Sequence, residues 1–144
     1  MNDPVEKRGR CLCGRVEIQA REVETHVHAC HCDMCQRWSG GPSLSVSAGT
    51  EVSFTNPDNI SVYRSCDWAE LGFCSTCGSH LFYRLIESGD YLLHPGSFDS
   101  AEAFELAEQV FIDEKPAYYD FANETANLTG AEVFARHQAE ETPD

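Results

Sequence analysis

The chain has 144 residues, 42% hydrophobic and 24% charged, with ten Lys and Arg against 24 Asp and Glu for a formal net charge of −14. That length suits one domain whose core buries roughly two thirds of the unfolded surface. The negative field repels phosphate backbones and anionic lipid, so nucleic acid and membrane surfaces are not expected partners, and no apolar run approaches the ~20 residues of a membrane span.

The N-terminal stretch Met1–Arg8 carries charges but no following apolar segment, so it does not read as a secretory leader and a cytoplasmic protein is expected. Residues 1–8 are expected to be a flexible tail, 9–137 a single domain, and 138–144 a second flexible tail. Val16, Ile18 and Ala20 alternate with polar residues, the period of a half-buried strand, and Val23, Thr25, Val27 and Ala29 alternate again. A polar turn at Arg21 and Glu22 would join the two as an antiparallel pair. Asp33 caps a short helical turn to Trp38, which Ser39-Gly40-Gly41-Pro42 stops. Strands are predicted at Leu44–Ala48, Glu51–Thr55 and Ile60–Arg64, with a turn at Asn56–Asn59. Leu71–Cys74 and His80–Leu85 flank a cysteine knuckle, and Tyr91–Phe98 adds a strand. A short helix is predicted over Ser100–Leu106, a strand at Val110–Asp113 and a terminal helix at Ala131–His137. The pattern is mainly β.

Eight cysteines in a chain expected to stay reduced point to metal or redox chemistry. Seven of them cluster as Cys11/Cys13, Cys30/Cys32/Cys35 and Cys74/Cys77, leaving Cys66. Closed structural zinc sites take four protein ligands and open, catalytic ones three. The C-x-C and C-x-x-C pairs therefore complete one site, with Gly14 and Gly78 letting the backbone curl towards the sulfurs. Cys30, Cys32 and Cys35 form a second site with one position left for a substrate thiol, which ionises on binding. Three other readings stand beside this. They are an iron–sulfur cluster on the two pairs, a metal-free redox trio activated by Arg37, and a closed second zinc completed by His31, His80, His94 or Cys66. Trp38 and Phe82 read first as core residues near the knuckles.

Three ordered motifs carry a resemblance. G-x-C-x-C-G-x-V at Gly9–Val16, C-H-C-x-x-C-x-R-x-x-G at Cys30–Gly40 and F-C-x-x-C-G-S-x-L-F at Phe73–Phe82 resemble the glutathione-dependent formaldehyde-activating enzyme (GFA) or centromere-protein-V-like family, over about Gly9 to Phe134. The resemblance implies an Mss4-like fold, with antiparallel β-sheets and short helices around a structural zinc. It implies structural zinc on Cys11, Cys13, Cys74 and Cys77, catalytic zinc on Cys30, Cys32 and Cys35, and condensation of glutathione with formaldehyde to S-(hydroxymethyl)glutathione, a carbon–sulfur lyase activity. Two stretches depart from the family pattern. Gln109-Val110-Phe111-Ile112 stands where a histidine often precedes an apolar pair, with Tyr118 in place of a later tryptophan, and Glu70-Leu71-Gly72 stands where a basic residue is common.

The expected function is thus addition of a small thiol to formaldehyde or a related aldehyde, with Arg37 and the amides of Gly40 and Gly41 holding a substrate carboxylate. Because thiols add to formaldehyde readily in water, a non-catalytic thiol carrier is a second expectation, and a zinc-scaffold interaction module a third. In the first two the partners are a small thiol and an aldehyde.

Overall fold

The computed structural model describes residues 3–141. Two compact units interleave in sequence, one formed by the chain up to Thr25 with Ser45–Phe104, the other by His26–Leu44 with the chain from Glu105 onward.

In the first unit, β1 (Val5–Arg10), β2 (Glu17–Val23) and β5 (Val52–Phe54) form an antiparallel sheet in the order β1-β2-β5. The strands β4 (Ser43–Ser47), of which Ser45–Ser47 belong to this unit, β6 (Ile60–Arg64), β7 (Ala69–Cys74), β8 (His80–Leu85) and β9 (Tyr91–Leu93) pair antiparallel in the order β4-β9-β8-β7-β6. Val16, Ile18, Ala20, Val46, Leu81 and Leu93 are buried, as the period-two pattern demands. The residues expected to begin as a tail are strand from Val5, because β1 takes up one edge of β2.

The expected antiparallel pairing of β2 with the strand after it does not form. Arg21 and Glu22 are both exposed inside β2, and the register slips there, with Val23 opposite Val5 and Ala20 opposite Lys7. One extra residue on β2 makes this a bulge, which imitates a turn in sequence because it breaks the alternation. Both edges of β2 are already taken, by β1 and β5.

In the second unit, β3 (His26–Cys30) pairs parallel with β10 (Glu105–Val110), and β10 pairs parallel with β11 (Ala126–Leu128). Helix α1 (Asp33–Ser39) follows β3, and α2 (Gly130–Glu141) closes the described chain. Strand β10 replaces the last turn of the helix expected over Ser100–Leu106. Lys7 Nζ donates to the carbonyls of Ser100 and Glu102, which a helix would have used itself, and Ala103 sits at φ +75°. The strand expected at Val110–Asp113 does not form: β10 ends at Val110, and Phe111, at φ +53°, leads into a 3-10 turn at Ile112–Glu114. Likewise β9 stops at Leu93 and Pro95–Ser97 form a 3-10 turn, since proline has no N–H for a ladder. Helix α2 runs through residues 138–141, expected as tail; 142–144 lie outside the described residues.

The mainly β expectation holds. Among the described residues no helix is long and apolar enough to cross a membrane.

Candidate metal centre

Two thiol groups form, one in each unit. Cys11 and Cys13 lie in the turn after β1, Cys74 ends β7 and Cys77 lies in the turn to β8; their four sulfurs all fall within 4.8 Å of one another. Each turn is closed by a backbone bond, Gly14 N to Cys11 O at 3.1 Å and Gly78 N to Cys74 O at 2.8 Å, with the two glycines at φ +80° and +78°. Side chains other than glycine adopt that region at a cost, which explains why glycine follows each pair. The Sγ–Sγ separations of 3.6 Å for Cys11–Cys13 and 3.8 Å for Cys13–Cys74 match the tetrahedron edge of about 3.8 Å that zinc–sulfur bonds of about 2.3 Å require.

Donors already point at these sulfurs. Val16 N and Asn59 Nδ2 each lie 3.4 Å from a sulfur, of Cys11 and Cys74 respectively. Ser79 accepts from Leu12 N at 3.0 Å, which leaves its hydroxyl hydrogen for Cys77 Sγ at 3.2 Å. Bonds from the Ser79 hydroxyl and backbone hold the Cys77 thiol down to about 5. The donor set fits a cation that takes four thiolates.

In the second unit Cys30 ends β3, Cys32 is the N-cap of α1 and Cys35 sits in its first turn; the three sulfurs also fall within 4.8 Å of one another. Cys35 N donates to Cys32 Sγ at 3.4 Å. Bonds from the Cys30 and then the Cys35 thiol hold Cys32 down to about 3, while contact with Cys32 pushes Cys30 up to about 12. The Cys35 thiol is raised as well, by Cys30 and then Cys32. Negative charge on three sulfurs this close is mutually repulsive and favours a cation between them, so the trio too could hold a metal ion. Among the described residues no fourth Cys, His, Asp or Glu joins it.

The residues weighed as a fourth ligand lie elsewhere. His31 is fully buried with both ring nitrogens engaged, Nδ1 with Tyr119 Oη at 2.6 Å and Nε2 with Gln109 Oε1 at 2.8 Å. His80 and His94 belong to the first unit, their rings 6.2 Å apart, and Cys66 is half-buried in the turn between β6 and β7. Arg37 is exposed and pairs with Asp33 at 3.1 Å, one turn back on α1. Gly40 is the left-handed C-cap of α1 and its amide donates to Gln36 O at 2.8 Å, so the expected role of that amide towards an anion is corrected: the helix uses it. Gly41 follows, half-buried. Phe82 is core, against Phe54 and Tyr91, and Trp38 is half-buried on α1.

Sequence reasoning missed Tyr119, Thr125 and Lys115, which lie in the irregular stretch after β10. Thr125 and Lys115, with Gln109, Ile112 and Phe121, line a depression of about 740 Å³, while Tyr119 meets His31 Nδ1. No motif marks them. The available signal was His31 itself, a histidine directly after a strand whose ring, once buried, needs partners for both nitrogens.

A β-rich chain whose seven clustered cysteines assemble into one group of four and one of three is a protein equipped to hold metal ions. The chain belongs to the family described as glutathione-dependent formaldehyde-activating enzyme, whose pattern it matches over residues 6–114. It is 33% identical over 129 residues to a Schizosaccharomyces pombe protein named as an uncharacterized lyase, covering 89% of this chain and 94% of that one. The crystal structure of a Rhodobacter sphaeroides protein shares the fold, with a TM-score of 0.56 and 22% identity over 65% of this chain and 88% of that one.

Proposed function

We propose that the protein is a zinc-dependent carbon–sulfur lyase that adds a small, glutathione-like thiol to formaldehyde or a related aldehyde at the three-cysteine site. The observation that carries this is the trio itself, three sulfurs within 4.8 Å with no fourth protein ligand among the described residues. Family membership and the lyase name of the fission-yeast relative support it. Cys11, Cys13, Cys74 and Cys77 would hold a structural zinc, and Cys30, Cys32 and Cys35 a catalytic one. A zinc ion on three thiolates supplies a Lewis acid with an open position, where a thiol ionises at neutral pH.

The residues of the chain do the rest. Cys35 N–H, donating to Cys32 Sγ, steadies the thiolate at the helix start. Arg37 recognises a carboxylate of the thiol substrate. Its pair with Asp33 is a surface one, 80% and 68% exposed, and such pairs contribute at most about 1 kcal/mol, so a substrate carboxylate replaces it at little cost. At Gly41 a Cβ would meet nothing within 4 Å, so the backbone there is open to a ligand. In the addition the S–H bond and the carbonyl π bond are exchanged for a C–S bond and an O–H bond, with no change of oxidation state overall.

Two-dimensional exchange NMR of formaldehyde, glutathione and S-(hydroxymethyl)glutathione tests this with zinc-loaded protein and with Cys32→Ser. Exchange above the buffer rate that disappears in the variant is expected. Equal rates in all three samples would reject turnover and leave the thiol carrier.

A further inference from the structure

His31 stands between two members of the trio, and every polar group it has is bonded. Its N–H donates to Val110 O at 3.1 Å, its carbonyl accepts from Gln36 Nε2 at 2.8 Å, and the two ring nitrogens meet Tyr119 and Gln109. The direction of the ring bonds follows from the far end of the network. Thr125 donates its hydroxyl to Asn127 Oδ1 at 2.7 Å and accepts from Gln109 Nε2 at 2.9 Å. Gln109 therefore turns its carbonyl oxygen to His31, whose Nε2 must carry the hydrogen, and Nδ1 accepts from the Tyr119 hydroxyl.

We propose that Gln109 and Tyr119 are positioning residues for the three-thiol site, clamping the His31 ring so that Cys30 and Cys32 are held in the turn that brings the sulfurs together. On an extended segment, residues on either side of His31 point opposite to it. Fixing the imidazole therefore fixes the peptides on both sides and the directions of both thiols. The anchors come from β10 and from the stretch after it, while Gln36 ties the same segment to α1 and, by a 3.2 Å bond, to Glu114 O. Gln109 also walls the depression described above, so a group bound there would press on the residue that orients the trio.

This rests on the trio being a zinc site, as in the proposed function, but its test reads metal retention and the histidine ring rather than turnover. Tyr119→Phe and Gln109→Met are made in the full, zinc-loaded chain. Zinc transfer to a chromophoric chelator is followed, together with ¹⁵N NMR of the histidine rings. Losing a partner that orients metal ligands weakens binding by about 10- to 100-fold. Each variant is expected to lose that factor at one of its two zincs and to keep the other, on the four-thiol site, at wild-type affinity. In the wild-type protein the His31 ring hydrogen is expected on Nε2, with the Nδ1 resonance moving in Tyr119→Phe. Wild-type affinity at both zincs in Tyr119→Phe would overturn the proposal, as would equal weakening of both zincs. A wild-type His31 protonated on Nδ1 or bound to metal would also overturn it. Tyr119 is only half-buried, so if Gln109→Met does not fold, Tyr119→Phe and the wild-type spectrum decide.

Discussion

Removing the four-thiol zinc site should cost the fold about twice what removing the three-thiol site costs. Cys13 and Cys74 are 61 positions apart, whereas Cys30 and Cys35 are separated by 35 − 30 = 5. Treating each metal as a cross-link, the entropy taken from the unfolded chain is worth about 4 kcal/mol for the longer loop and about 2 kcal/mol for the shorter. Each kcal/mol moves the melting temperature of a chain near this size by about 2–4 °C. The double variant Cys13→Ser/Cys77→Ser should then melt roughly 8–16 °C below the zinc-loaded protein, and Cys32→Ser/Cys35→Ser about half as far below. Cys13 is exposed and Cys77 only half-buried, so their serines add little packing loss. Scanning calorimetry, with zinc content measured by mass spectrometry, makes the comparison. An equal or larger fall in the Cys32/Cys35 variant would refute the division into a structural and an open site.

Gly9→Ala should destabilise the protein by about 1–3 kcal/mol, seen as a lower urea midpoint at unchanged zinc content, because a Cβ there would overlap the Ser97 carbonyl where Gly9 bridges Phe98. Burial pushes the Glu108 carboxyl up, but Arg136, at 2.8 and 3.1 Å, and His28 outweigh it and hold the group below its ordinary range. Its stabilising effect is therefore present above about pH 4.5 and lost as pH falls through the lower folded value; Glu108→Gln should flatten that acid limb in urea titrations across pH. Arg37→Ala should raise KM for an acidic thiol about two- to fivefold with kcat little changed, the range of an exposed ion pair, and should leave KM for an uncharged thiol alone.

Much of the candidate site could be read directly from the sequence, because thiol spacing is itself a statement about geometry. A pair two or three positions apart must curl to present both sulfurs, and the glycines after Cys13 and Cys77 mark where it does so. The first glycine of the first motif has a separate cause, the close passage of Gly9 beside Ser97. The strands with clean alternation were legible for the same local reason. What failed was non-local. The β2 bulge looks like a turn because Arg21 and Glu22 are both polar, and only its pairing with β1 and β5 reveals a continuous strand. The parallel pairing of β3 with β10 joins residues about 80 positions apart, as between Ala29 and Gln109, so no local pattern announces it. The His31 clamp depends on that pairing and was hidden with it. The amide of Gly40 was misjudged because its use is settled by the end of α1, a boundary that sequence leaves vague.

The central claim is that the trio keeps a position for a substrate thiol. Cobalt substituted for zinc reports this through its thiolate-to-metal absorption, which scales with the number of sulfurs bound. Adding glutathione to the cobalt-loaded protein should raise that band by about one seventh, as seven protein thiolates become eight, and should leave it unchanged in Cys32→Ser/Cys35→Ser. A band that does not change in the wild-type protein at saturating glutathione would mean that no thiol enters the site, and would contradict the account.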